Sequence, residues 1–335
     1  MEGRLQRPIR MPAPTPEFPD FAADRPLVFD GAPALQRRRR REPIARVVIL
    51  FLLTIVSTTV AGALHWAGFS LDFGASVVSL TSPELYLNGL WYSLSILGIL
   101  GAHEFGHYYA CRHYGVDASL PYFLPAPLPL TGTLGAFIRI RQQIPSKRQL
   151  FDIGIAGPIA GFLVAVPVLV IGMNMSRVVA IPPDFQGIEL GEPLLFKAVS
   201  WLKFGPQVEG YSVNMHPMAF AAWFGLLATA LNLFPIGQLD GGHIAYAVLG
   251  RKSTVLTLLM VLCLIGLTFV SRSWIVWTVL TVGMLLTFGP RHPRTLDEDV
   301  PLDRTRVLLA LFALAMFILC FTPAPLEPLE IVGRR

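Results

Sequence analysis

The stretch NGLWYSLSILGILGAHEFGHYYACR, residues 88–112, decides how this chain folds. A bilayer's hydrocarbon core is about 30 Å thick and a helix rises about 1.5 Å per residue, so about 20 apolar residues are enough to cross it. Leu90 to Cys111 meets that length and is read as a transmembrane helix. Within it stands His103-Glu104-Phe105-Gly106-His107. Ionisable side chains at membrane depth are expensive and usually carry function. The same residues therefore predict both a span and a site.

Working outward, further apolar runs lie at about 45–68, 150–173, 216–250, 253–270, 273–289 and 304–321. The expected fold is an all-α polytopic membrane protein with six to seven transmembrane helices. Composition agrees: of 335 residues, 53% are hydrophobic and 15% charged, against about 25% charged in a soluble domain. That excludes a disordered, collagen-like or disulfide-stapled chain and argues against an ordinary soluble enzyme. Cys111, Cys263 and Cys320 lie in or beside apolar runs with no CxxC spacing. They read as free thiols; Cys111, four residues past His107, is the one with a conceivable ligand role.

The net charge is +5, and its placement matters more than its size. Arg37–Arg41 precede the first apolar run, which reads as a topology determinant rather than a nucleic-acid arm. No nucleic-acid partner is expected. With the N-terminus in the cytoplasm and the spans alternating, 21 of the 27 lysines and arginines fall on the cytoplasmic side. The positive-inside rule favours that orientation.

Two connections stand out. Residues 174–216 form the longest external loop. Residues 113–149 are apolar but rich in helix-breaking proline. Leu134, Ala136, Ile138 and Ile140 then alternate with Thr133, Gly135, Phe137, Arg139 and Arg141, the period of a strand. Non-helical apolar backbone is tolerated at membrane depth only where protein buries it or it lines a cavity. A re-entrant β-hairpin or loop between the second and third spans is expected.

His103-Glu104-x-x-His107 is an HExxH pattern. On a helix its two histidines share a face and can hold one Zn²⁺, while the glutamate serves as general base. A packed polar cluster without metal is the alternative. Catalytic zinc sites use three protein ligands. The fourth run supplies Asn232-Leu-Phe-Pro235-Ile-Gly237-Gln-Leu-Asp240-Gly-Gly-His243, where proline and glycine break the helix. Asp240 is a membrane-depth carboxylate of the right type for the third ligand. His243 competes for that role, and an aspartate merely capping the next helix is the plainer reading. Asp152 opens the third span near Lys147 and Arg148 and reads as part of an interfacial ion pair.

HExxH in one span and NxxPxxxxDG in a later one resemble the site-2 protease family of intramembrane zinc metalloproteases. The stretch GTLGAF (132–137) and the run Ala156-Gly157-Pro158-Ile159-Ala160-Gly161 resemble its bacterial and chloroplast-type members without PDZ or CBS domains. The resemblance implies zinc held by His103, His107 and Asp240, Glu104 as general base, and Asn232 at the substrate or developing oxyanion. It also implies hydrolysis of single-span membrane protein substrates within the lipid bilayer, and a multi-pass protein of the bacterial inner membrane. On this reading residues 1–44 are a disordered basic cytoplasmic tail. Residues 45–321 are the transmembrane protease domain, with its core at 86–290, and 322–335 a short C-terminal tail. A membrane metal-ion transporter and a catalytically silent adaptor of the same family are the alternatives.

Overall fold

Long apolar sequences make long helices here, and a computed structural model shows where each one stops. It describes residues 43–74, 79, 81–182, 187–206, 208–289 and 292–328. The expected basic tail, apart from its last residues, lies outside the described residues, as does the end of the C-terminal tail.

The order begins with α1 (Ile44–Ser70) and α2 (Pro83–His113), then an antiparallel pair β1 (Tyr122–Pro125) and β2 (Thr133–Phe137), then α3 (Lys147–Met175). The expected external loop carries β3 (Arg177–Ala180), β4 (Ile188–Leu190), α4 (Leu194–Phe204) and β5 (Tyr211–Asn214). There follow α5 (Pro217–Leu233), α6 (Asp240–Leu249), a 3-10 turn (Gly250–Lys252), α7 (Ser253–Val270), α8 (Trp274–Phe288), α9 (Arg304–Cys320) and β6 (Leu326–Pro328). β3 pairs with β5 and β4 with β6, both antiparallel.

Among the described residues, four helical stretches are long and apolar enough to cross a membrane: Ile44–Ser70, Pro83–His113, Lys147–Met175 and Asp240–Val270. Their outward surfaces suit lipid rather than water; Phe269 and Leu87 are 88% and 66% exposed. The two ends are polar. At one, Asp72 and Phe69 of the α1 end bind Arg177 and Asn214. At the other, segment 292–303 straps the helices together. Asp297 accepts from Ser146 Oγ and Lys147 N at the start of α3 (both 2.8 Å). A carboxylate there satisfies an orphan N–H and complements the helix dipole. Asp152 pairs with Arg306 (2.9 Å) and Tyr114 rather than with Lys147 or Arg148.

The largest core lies among α2, α3 and α5, with Tyr92, Ile96, Leu169, Trp223 and Leu226 almost wholly buried. The run expected at 216–250 is not one helix. α5 ends at Leu233 and α6 begins at Asp240, because Pro235 donates no N–H and Gly237 turns at φ +50°. That break sits against the core and opens the backbone beside the second span.

Candidate metal centre

α2 brings His103, Glu104 and His107 into the interior, each less than a tenth exposed. The broken segment brings Asp240, the first residue of α6, up to meet them. Asp240 Oδ2 lies 3.1 Å from His103 Nε2 and 3.3 Å from His107 Nε2, and the two Nε2 atoms are 3.1 Å apart. At the N-terminus of α6 the free backbone N–H groups favour a carboxylate. Close packing helps place it: a Cβ on Gly241 would fall 2.0 Å from the carbonyl oxygen of Leu233.

The tautomer of His107 follows from its other nitrogen. Nδ1–H donates to the carbonyl of Ile153 on α3 (2.7 Å), so the neutral ring turns a bare Nε2 towards Asp240. Lone pairs from His107 and the carboxylate then face each other in a buried space. A proton on Nε2 or a metal ion between them satisfies both. The ligand atoms of His103, His107 and Asp240 lie within 4.8 Å of one another, and two imidazoles with one carboxylate suit zinc. The donor set fits a zinc ion on these grounds.

Glu104 stands beside the group. The backbone N–H of Ile138, just past β2, faces its carboxylate. Asn232, in the last turn of α5, places Nδ2 3.3 Å from His103 Nε2. The five residues singled out from the sequence therefore converge. His243 and Cys111 do not join the metal-binding group among the described residues. His243 Nδ1 pairs with His292 Nε2 at 2.7 Å, and Cys111 is buried against Val116 and Ile153.

Two supports escaped the sequence reading. One is the Ile153 carbonyl. The other is the specific partner of the glycines on α3. A Cβ on Gly157 would lie 2.1 Å from His107 Nε2, and one on Gly161 3.2 Å from His103 Cβ. The small-residue run was visible in the sequence, but its contact with the histidine rings was not. Gly157→Ala is therefore expected to push His107 off its carbonyl and weaken zinc binding about 10–100-fold, the usual cost of a lost outer-sphere partner. Zinc titration of the purified variant checks this; unchanged affinity would show that the ring has room to spare.

Residues 91–270 match peptidase family M50. The chain is similar to the probable zinc metalloprotease EGY2, chloroplastic, of Arabidopsis thaliana (31% identical, covering 72% of this chain and 43% of that protein). It is also similar to Arabidopsis thaliana EGY1 (30%; 71% and 43%) and to Oryza sativa subsp. japonica EGY3 (29%; 82% and 48%), both named as probable chloroplastic zinc metalloproteases. The chain thus spans less than half the length of these relatives. No solved structure matches it. The matched region holds His103, Glu104, His107, Asn232 and Asp240 together, and by that match the chain belongs to peptidase family M50, the site-2 proteases that its motifs resemble.

Proposed function

We propose that this chain is an intramembrane zinc metalloendopeptidase that hydrolyses a peptide bond in single-span membrane proteins. One observation carries the reading: His103, His107 and Asp240 converge beside a buried Glu104, inside helices of membrane-crossing length. A transporter would more often show internal repeats and several ligand-bearing spans.

Zinc, when bound by His103, His107 and Asp240, supplies a Lewis acid that polarises the scissile carbonyl and acidifies a water. Glu104 takes a proton from the attacking water and delivers it to the leaving amine. The Ile138 N–H faces the Glu104 carboxylate from the β2 side. Asn232 carries an amide donor on the side of His103 and is placed to meet the developing oxyanion. Asn232→Ala is expected to lower kcat about 10²-fold with KM little changed. A large rise in KM at constant kcat would instead assign Asn232 to ground-state binding.

Further parts of the reading are also proposals. The membrane domain is proposed to cross the bilayer six to seven times, with α5, α8 and α9 completing spans that length alone leaves short. The β1–β2 hairpin is proposed to be re-entrant. Gly132, where its loop enters β2, packs against Ser57 and Thr58, midway along α1, and Tyr92 OH donates to the carbonyl of Thr131 (2.9 Å). Leu134 is 69% exposed while Thr133 is buried, which suits a strand with lipid outside and protein inside. The outer edge of β2 would pair with an unwound substrate by strand addition. HExxH lies in the second half of α2, towards the end rich in basic residues. A cytoplasmic N-terminus with the site on that side follows from the positive-inside rule. The expectation of a bacterial inner membrane came from the resemblance alone. The relatives named above are chloroplastic, and charge placement specifies a side rather than an organelle.

The test is reconstitution of the full chain in vesicles with a single-span substrate. Chelation is expected to abolish cleavage and stoichiometric zinc to restore it. Cleavage indifferent to metal would overturn the proposal.

A further inference from the structure

Between the broken segment and the α7–α8 hairpin lies a cavity of about 150 Å³. Leu239, Leu264, Trp277 and Met284 wall it, and the polar groups among its lining side chains are Asn232, Thr281 and the Trp277 indole N–H. Asn232 also stands 3.3 Å from His103 Nε2. The cavity therefore shares a wall with the metal centre, and a group seated in it sits within one side chain's reach of the reacting atoms.

Its size is informative. An apolar protein cavity of about 150 Å³ takes a benzene, which is the ring of one phenylalanine. That volume suits one large apolar side chain and is too small for the length of a phospholipid tail. The wall chemistry agrees, since among the described residues no charged one lines it. A transmembrane substrate offers leucine, methionine and phenylalanine in abundance. Burying one of them here would fix which bond lies over the centre once the substrate helix unwinds.

We propose that this cavity is the subsite that selects the cleavage position, by taking one large apolar side chain from a residue flanking the scissile bond. The inference rests on the proteolytic reading above and deepens it. Steric exclusion in an apolar pocket discriminates by about 10–200-fold per methylene, so the subsite would act as a gauge of side-chain size.

The experiment uses the full chain with zinc in vesicles. The substrates are single-span segments that differ only at the two residues flanking the cut, which carry Gly, Ala, Leu, Met, Phe or Trp. Cut sites are mapped by mass spectrometry, and kcat/KM is obtained by competition. One flanking position is expected to prefer Leu, Met or Phe over Ala by about 10²-fold. Thr281→Phe, which fills the cavity, is expected to reverse that preference towards Ala. Met284→Ala, which enlarges it, is expected to shift the preference towards Trp. Zinc content at the wild-type level verifies that both variants are folded at the centre. Wild-type size ratios in both variants would overturn the subsite. So would a uniform loss across all substrates, which would mark the cavity as packing or a lipid contact. If no substrate is cut in a Glu104-dependent manner, the proteolytic reading itself fails, an outcome distinguishable from retained cutting without size selection.

Discussion

Glu104→Gln is expected to keep about one zinc per chain and to lower kcat about 10³-fold on a single-span substrate. A positioned general base contributes about 10²–10⁴-fold, and 10³-fold corresponds to about 4 kcal/mol of barrier. The substitution is close to isosteric. The glutamine carbonyl can still face the Ile138 N–H. The atoms that converge for metal belong to His103, His107 and Asp240, so occupancy should not fall. What is lost is the capacity to take a proton from water. Cleavage within a few-fold of wild type would remove Glu104 from the chemistry. Loss of zinc along with activity would move it into the ligand set.

Asp240→Ala is expected to do the opposite at the metal, cutting zinc affinity by more than the 10–100-fold that outer-sphere partners cost. Activity should fall with it. The reason is geometric as well as chemical. Oδ2 is the atom that meets both Nε2 atoms, at 3.1 and 3.3 Å, and without it two histidines from one turn of α2 remain. Asp240→His is the useful companion, because three histidines are also a known zinc set; it should recover part of the binding. Thermal melts of both variants separate ligand loss from unfolding. Full zinc retention in Asp240→Ala would return that residue to the plainer role of capping α6.

The sequence made local features legible and left distant partnerships hidden. Apolar runs predict helices because a span is a contiguous pattern, and helices stand at each of the predicted runs. Pro235 and Gly237 announced the break that presents Asp240, since both act on their own backbone. The period of two at 133–141 announced β2. The strands of the external loop, β3 to β5, are three or four residues long and too short for alternation to register. The Ile153 carbonyl that orients His107 is 46 residues away and carries no side-chain signature. His292 pairs with His243 across 49 residues, and Arg306 with Asp152 across 154. Each of these is an ordinary residue in sequence and acquires its role only when the helices pack. The proposed ligands were readable because charge is scarce in this chain, at 15% of residues, so those left at membrane depth stand out.

The central claim is that these three side chains hold a zinc ion beside Glu104. X-ray absorption at the zinc edge, on the full-length Glu104→Gln chain, tests it most directly. One zinc per chain is expected, with two imidazole nitrogens and a carboxylate oxygen among its ligands at about 2.0–2.2 Å. A thiolate in the shell, or no zinc bound at all, would contradict it.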